Sequence, residues 1–272
     1  MHPEFESATI AGGSVRYICC GHGAPAVVID QGAGLSVEQG LLRPHLLGWP
    51  RVLREVQKTT RVLMHDRAGL GFSDEPRAPR ASSDMVAALR TVLRRAEVPP
   101  PYILVGHSIG GLNVRVFASR YPREVAGVLL VDASHPDQWE RIADVVPSLG
   151  AIEPGLARRL RAGPGSSISI EKIDFMASAH EARASGELGD TPLIVLTRSP
   201  HAIIPHLGAA ASERLGRVWS ELQRELLGLS RRSTHVVASQ AGHNIQLEEP
   251  QLVLDAIARL LDTARAGRST LH

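Results

Sequence analysis

The sequence is poor in cysteine: its 272 residues contain two, Cys19 and Cys20, which are neighbours in the chain. Neighbouring residues of a strand point to opposite faces of a sheet, so a disulfide between these two would need a strained geometry. The sequence therefore has no disulfide framework, as is typical of proteins from a reducing compartment. We expect both thiols to act as small apolar side chains in an early strand.

Long apolar runs and an excess of charge are also lacking. No run approaches the ~18 consecutive apolar residues of a membrane-spanning helix. The polar, acidic segment 1–6 does not have the basic start and apolar centre of a signal peptide. The 30 basic and 28 acidic residues leave a net charge of +2, which gives no electrostatic basis for binding nucleic acid or an anionic membrane. The sequence thus predicts a cytoplasmic protein with no membrane span and no nucleic-acid partner.

Motifs for metals and cofactors are missing as well. No group of His, Cys and Asp residues has the spacing of a metal-ligand set. Gly32 and Gly34 lie in a glycine-rich loop after an apolar segment, but the third glycine and the acidic partner of a dinucleotide-binding motif are absent. We therefore expect no metal and no cofactor.

Short apolar segments alternate with segments of helical periodicity along most of the chain. Residues 8–10 and 15–18 flank Gly12-Gly13 and predict a β-hairpin. The other apolar segments predict strands at 26–30, 61–64, 102–105, 125–131, 193–196 and 235–238. Helical spacing predicts helices at 49–58, 82–97 (capped by Ser82), 112–120, 214–227 and 250–264. This order predicts an α/β fold with a mostly parallel central sheet and helices on both faces.

The alternation is interrupted between two of the predicted core strands. The stretch 135–190 is amphipathic, contains no predicted strand and is broken by prolines and glycines. We interpret it as a helical cap insertion in one large domain rather than as a domain that folds alone. The predicted organisation is a first part of the core at 1–134, a helical cap or lid at 135–190, and a second part of the core at 191–272.

The segment Gly106-His107-Ser108-Ile109-Gly110 joins the predicted strand 102–105 to the predicted helix 112–120. A Gly-x-Ser-x-Gly motif in this position is typical of a nucleophile elbow, a tight turn that exposes the serine oxygen. Glycines on both sides of the serine let strand and helix approach closely. We therefore predict that Ser108 is a nucleophile, the alternative being an ordinary strand-to-helix turn. His107 is expected to point away from the elbow and to pack in the core.

A serine hydroxyl is a poor nucleophile until a neighbouring imidazole accepts its proton. Among the 12 histidines, His243 is the best candidate for this base, because it lies in a glycine-led loop after the last predicted strand. The carboxyl ends of parallel strands share one edge of a sheet, so His243 and Ser108 are expected at the same crevice.

Three motifs in sequence order carry a resemblance to the α/β-hydrolase superfamily: the loop Asp66–Ser73, the elbow Gly106–Gly110 and the loop Ala241–Glu248. The resemblance spans roughly Thr9 to Leu261. It implies the α/β-hydrolase fold and a serine hydrolase of the esterase or lactonase branch. The dehalogenase and epoxide-hydrolase branches resemble the chain in the first loop, but they attack with a carboxylate instead of a serine.

The resemblance also implies a catalytic acid. In many relatives this acid follows the strand that here is 193–196, but Thr197-Arg198-Ser199 contains no carboxylate. Other branches place the acid one strand earlier, where a predicted strand ends at Asp132. We therefore favour Asp132 as the acid that orients His243, with Asp137, or no acid at all, as the alternatives.

An oxyanion hole needs two donors, and the amide of Ile109 is the first candidate. Relatives carry His-Gly followed by the second donor, and this sequence has Gln31-Gly32-Ala33, so the amide of Ala33 is the second. Gln31, His135 and Trp139 are the predicted substrate-binding residues. Gln31 either faces the pocket or only fixes the loop, and His135 either lines the pocket or belongs to the cap.

The predicted function is a serine hydrolase that cleaves a carboxylic ester, lactone or thioester of a small apolar substrate through an acyl-enzyme. One alternative is a receptor that uses the same pocket to bind a small molecule, because a fold alone does not decide function. Another is a cofactor-free reaction other than hydrolysis. The sequence predicts no particular oligomeric state.

Overall fold

The computed structural model describes residues 4–34, 36–42, 48–145, 170–201 and 208–269. These residues contain one eight-stranded sheet with the strand order β1-β2-β4-β3-β5-β6-β7-β8. The strands are β1 Glu6–Ile10, β2 Gly13–Cys20, β3 Ala26–Asp30, β4 Val62–Asp66, β5 Tyr102–His107, β6 Val125–Val131, β7 Leu193–Thr197 and β8 Ser233–Val237.

The sheet is mostly parallel, as the sequence predicts. β1 and β2 form the expected hairpin, and β2 also pairs antiparallel with β4. Every other pairing is parallel. All residues of β3, β4, β5 and β7 are buried, because strands covered on both faces have no solvated side.

The described helices cover both faces of this sheet. They are α1 Val37–Leu42, α2 Trp49–Val56, α3 Ser82–Arg95, α4 Gly110–Arg120, α5 Gln138–Val145, α6 Phe175–Ala184, α7 Ala209–Glu225, α8 Ile245–Glu248 and α9 Pro250–Ser269. Residues of α3, α4 and α6 pack in a core cluster on one face. Residues of α2 and α9 pack in a second cluster on the other. Successive residues of β3 alternate between the two clusters, as the period of a strand requires.

Two sequence-based details about the helices were wrong. Ala81, not Ser82, is the N-cap of α3, and Ser82 is the first helical residue. The Asp84 carboxylate accepts the Ala81 amide at 3.0 Å, which is the bond that the third helical residue contributes to a capping box. The last helix continues beyond residue 264 to Ser269.

Between β6 and β7, where the sequence predicts a cap, the structure describes α5 and α6. Residues 146–169 of that predicted cap lie outside the described residues, so its boundaries stay a prediction. Cys19 and Cys20 are both free and partly buried in β2. None of the helices in the described ranges has the length and apolar character to cross a membrane.

Candidate active site

Ser108 lies in a strained turn between β5 and α4. Its φ of 52° is in the left-handed region, which costs free energy for a residue with a side chain. A Cβ on Gly106 would lie 2.6 Å from the Gly110 carbonyl oxygen, and one on Gly110 would overlap the Asp30 carbonyl oxygen. Both glycines are therefore required by close backbone approach, as in a nucleophile elbow.

The elbow is tied to the neighbouring strand by backbone hydrogen bonds. The Ser108 amide donates to the Val131 carbonyl at 3.3 Å, and the Ser134 amide donates to the Ser108 carbonyl at 2.8 Å. β5 lies between β3 and β6 in the sheet. The ends of those two strands, at Asp30 and just before Asp132, therefore flank the serine.

The structure brings His243 and Asp132 together from positions 111 residues apart. Nδ1 of His243 lies 2.6 Å from Oδ2 of Asp132. The Asp132 carboxylate is fully buried, whereas the His243 side chain is 40% exposed. Asp137, the alternative acid, forms an ion pair with Arg183 instead.

No hydrogen bond among the described residues joins Ser108 Oγ to His243. Hydrogen bonds between a nucleophile and its base are often long in a free enzyme and shorten in the complex. The loop that carries His243 is held by Glu248, whose carboxylate accepts the Gly242 amide at 2.9 Å.

Asp132 has further partners that the sequence did not reveal. Its Oδ1 accepts the Trp219 indole N–H at 2.6 Å and the Arg198 amide at 3.1 Å. The Arg198 guanidinium lies 3.5 Å from Oδ2. Burial alone would raise the pKa of Asp132, but the hydrogen bond with His243 and the charge of Arg198 outweigh it and lower that pKa. One signal in the sequence points to these partners: the segment Thr197-Arg198-Ser199 after β7 has an arginine and no carboxylate.

His107 packs in the core as expected, and it also contacts the loop that carries His243. Its Nε2 lies 3.0 Å from the His243 carbonyl oxygen, and the two imidazole rings are 4.8 Å apart. Burial lowers the pKa of His107 to about 3, so its ring is neutral near pH 7. A neutral ring bonded to a carbonyl carries its proton on Nε2 and donates it.

A buried arginine holds the loop that follows β3. Arg67 donates to the carbonyl oxygens of Gln31 and Gly32 at 2.7 and 2.8 Å and pairs with Asp30 at 2.5 Å and Glu171 at 2.7 Å. Glu171 also accepts the Gly34 amide at 2.6 Å. The backbone is thus fixed on both sides of Ala33 by one buried network. Desolvation disfavours the charged guanidinium, but the two carboxylates outweigh it and raise the pKa of Arg67.

One predicted oxyanion donor lies in the loop after β3, and the other directly follows Ser108. Within the described part of the chain, the amides of Ile109 and Ala33 have no hydrogen-bond acceptor. Ile109 directly precedes α4, where the helix dipole favours negative charge.

The three predicted substrate-binding residues lie in different surroundings. Gln31 is buried and donates to Asp66 at 3.3 Å, an interaction that fixes the loop. His135 is buried, and its Nδ1 accepts the Asp137 amide at 3.1 Å. Trp139 is half-buried and meets Phe175 edge to face at 6.3 Å. Contact of these three with a substrate stays a prediction.

His135, Asp137 and Glu225 form a cluster whose ligand atoms lie within 4.8 Å of one another. Asp137 pairs with Arg183, and Glu225 with Arg141 at 2.9 Å. Nδ1 of His135 is already used by a backbone amide. A cation bound here would compete with two arginines, so the cluster is better described as a set of ion pairs.

Comparisons with known proteins show the fold family of the chain. A family model described as alpha/beta hydrolase fold matches residues 18–187, more than half of the chain. The chain is 26% identical over 242 residues to the uncharacterized protein YqjL of Bacillus subtilis (strain 168), a match covering 87% of this chain and 83% of that protein.

Two solved structures share the fold over almost their whole length. A thermophilic esterase from Thermogutta terrifontis has a TM-score of 0.66 at 19% identity, covering 97% of this chain and 99% of that one. A haloalkane dehalogenase variant, DbeA-M1 from Bradyrhizobium elkanii, has a TM-score of 0.65 at 14% identity, covering 99% of each chain. Likeness at these identities shows a shared fold and not a shared reaction. Because the family model covers more than half of the chain, the chain belongs to the α/β-hydrolase fold family.

Proposed function

We propose that this protein is a serine hydrolase that cleaves a carboxylic ester, lactone or thioester of a small apolar substrate. The observation that carries the proposal is the 2.6 Å contact between His243 Nδ1 and Asp132 Oδ2, beside a serine held at a φ of 52° on an elbow. A nucleophile, a base and an orienting acid are the parts that acyl transfer needs.

In the proposed reaction, Ser108 Oγ attacks the substrate carbonyl carbon while His243 Nε2 accepts the hydroxyl proton. Asp132 accepts the hydrogen bond from Nδ1–H, so it selects the tautomer with Nε2 free and stabilises the imidazolium that forms. When the tetrahedral intermediate collapses, the bond to the leaving oxygen or sulfur breaks, and the imidazolium protonates that atom, which becomes an alcohol or a thiol. Water, activated by the same imidazole, releases the acid from the acyl-enzyme.

Negative charge develops on the carbonyl oxygen in this step. The amides of Ile109 and Ala33 are the proposed donors to it, and removal of one such donor typically costs ~10²–10³ in rate. The Arg67–Glu171 pair supports this role for Ala33, because it holds the backbone at both neighbours, Gly32 and Gly34. Rigid donors stabilise a transition state without reorganising during the reaction.

Ser108 favours ester cleavage over the other reactions of similar folds. A carboxylate nucleophile displaces halide or opens an epoxide, whereas a serine oxygen forms an acyl-enzyme from a carbonyl compound. We propose a cytoplasmic location for this activity, because two neighbouring cysteines in 272 residues provide no disulfide framework.

Hydrolysis of p-nitrophenyl acetate and butyrate tests the proposal. We expect Ser108→Ala to lower kcat/KM by at least ~10³-fold, because only the oxyanion donors and binding are left. Ser185→Ala is the matched control, since Ser185 lies at the end of α6 and its hydroxyl donates to the Ala182 carbonyl. Equal turnover by the Ser108→Ala variant and the wild type would contradict the proposal. Specific binding of a small molecule without turnover by the wild type would favour the receptor.

A further inference from the structure

We propose that Arg198, stacked on Trp219, is a positioning residue that fixes the Asp132 carboxylate toward His243 and sets the acidic limit of the activity. This inference rests on the proposed function, in which Asp132 and His243 act as a pair. It adds to that function a residue that does not contact the substrate carbonyl.

Every oxygen of the Asp132 carboxylate is held in place. Oδ1 accepts the Trp219 indole at 2.6 Å and the Arg198 amide at 3.1 Å. Oδ2 faces His243 at 2.6 Å and the Arg198 guanidinium at 3.5 Å. Since both oxygens are engaged, rotation of the carboxylate away from the imidazole would break at least one charge-assisted hydrogen bond.

The guanidinium is itself held in place. Its central carbon lies 4.7 Å from the centroid of the Trp219 ring, within the range of a cation–π interaction. The Arg198 side chain is only 14% exposed. Trp219 therefore has two contacts with the same site, because its ring supports the cation while its N–H binds the acid.

Among the described groups that face the Asp132–His243 pair, Arg198 carries the positive charge. From β5, His107 faces His243, but burial lowers the pKa of His107 to about 3 and keeps it neutral. From α7, Trp219 is uncharged, and from α8, Glu248 binds the Gly242 amide at the base of the loop. A lasting charge beside a pair that exchanges one proton shifts the pH of that exchange.

The direction of the shift follows from charge alone. A positive neighbour opposes protonation of the Asp132–His243 pair, so removing it lets the pair take up a proton at higher pH. The acidic limb of kcat/KM then moves upward. Coulomb repulsion between the guanidinium and the added proton, at an effective dielectric constant of ~20 and reduced for partial exposure, gives a shift of about one pH unit.

Profiles of kcat/KM against pH from 4.5 to 9, with a p-nitrophenyl ester, test this inference. We expect the acidic limb of Arg198→Gln to lie about one pH unit above that of the wild type. Arg198→Lys restores the charge, so its limb is expected within a few tenths of a unit of the wild-type limb. Arg232→Gln removes an exposed arginine near the start of β8 and controls for the loss of one positive charge.

Arg198→Met provides a second neutral variant, because its unbranched side chain still packs on Trp219 if the glutamine variant does not fold. If Arg198→Gln or Arg198→Met folds and its acidic limb lies at the wild-type pH, the inference is overturned. It is also overturned if the limb of Arg198→Lys shifts as far as that of the neutral variants. Ser108→Ala in the same assay separates the two proposals. If that variant keeps the activity, the proposed function is wrong; if it loses activity while Arg198→Gln titrates like the wild type, only the role of Arg198 is wrong.

Discussion

Two buried aspartates flank the strand that carries Ser108, and they have opposite kinds of partner. Asp30 ends β3 and binds the Arg67 guanidinium at 2.5 Å and the Asn113 amide at 3.0 Å. Asp132 follows β6 and binds the His243 imidazole at 2.6 Å. A guanidinium keeps its charge at every accessible pH, whereas an imidazole exchanges a proton near neutrality. The first pair is thus suited to holding a loop and the second to proton transfer.

The exposure of the partners follows the same division. Arg67 is 1% exposed and is enclosed by two carboxylates and two carbonyl oxygens. The His243 side chain is 40% exposed, so one edge of the ring is accessible. A buried, fully paired ion contributes rigidity, and a base needs access to the substrate. The comparison predicts that changes at Asp132 reduce activity and that changes at Asp30 reduce stability.

Asp132→Asn is expected to have the largest effect. The asparagine fills the same volume but favours the wrong histidine tautomer, so we expect kcat to fall by ~10⁴-fold. Esterase assays with purified protein measure this loss, and circular dichroism should show wild-type secondary structure. A variant that keeps a tenth or more of wild-type kcat would show that Asp132 is not the acid.

Asp30→Asn is expected to act on stability. It removes one carboxylate from a buried pair, and breaking such a pair costs about 3 kcal/mol or more. The cost here should lie near 3 kcal/mol, because Glu171 still pairs with Arg67. Urea denaturation measures the free energy of unfolding. Asp190→Asn is the control, since Asp190 forms an exposed pair with Arg231 at 2.7 Å, and solvent screens the attraction in exposed pairs. Equal losses of unfolding free energy in Asp30→Asn and Asp190→Asn would contradict a larger contribution from the buried pair.

The pH dependence of the free energy of unfolding extends the comparison to two buried histidines, His65 in β4 and His107 in β5. Burial lowers the pKa of His65 to about 4 and that of His107 to about 3. The unfolded chain, with histidine pKa values near 6.5, binds more protons than the folded chain below that pH. Both histidines therefore contribute full stability above about pH 6.5, and the contribution is lost as the pH falls toward 4.

We expect the free energy of unfolding to fall by about 2 kcal/mol per histidine between pH 7 and pH 5. His65→Leu should remove the part of this fall in free energy that is due to His65. The substitution breaks no hydrogen bond, since neither His65 nitrogen has a hydrogen-bond partner among the described residues. Urea denaturation at several pH values measures the slope. Parallel curves for the variant and the wild type would contradict the account of His65.

The sequence predicts the parts of this site that depend on local patterns. The elbow at Ser108 requires glycines at fixed positions, and strands covered on both faces are continuously apolar. These two rules place Ser108, Asp132 and His243 at the same edge of a parallel sheet, and the structure places Asp132 rather than Asp137 beside His243.

What the sequence does not predict is the choice of partner over a long distance. Asp30 and Asp132 both follow apolar strands, and nothing local distinguishes them. Arg67 pairs with Glu171, 104 positions away, and Trp219 reaches Asp132 across 87 positions. Such pairs depend on how helices and loops pack on the sheet, which no periodicity encodes. Ser82 shows the same limit at short range, because the N-cap of α3 is Ala81 and not the serine.

Covalent labelling tests the central claim most directly. The wild-type protein is treated with a fluorophosphonate, which reacts with activated serines, and the adduct is located by mass spectrometry of proteolytic peptides. We predict one adduct on Ser108, lost in Ser108→Ala and formed far more slowly in Asp132→Asn. An adduct on another residue, or esterase activity that persists in a protein carrying the label on Ser108, would contradict the account.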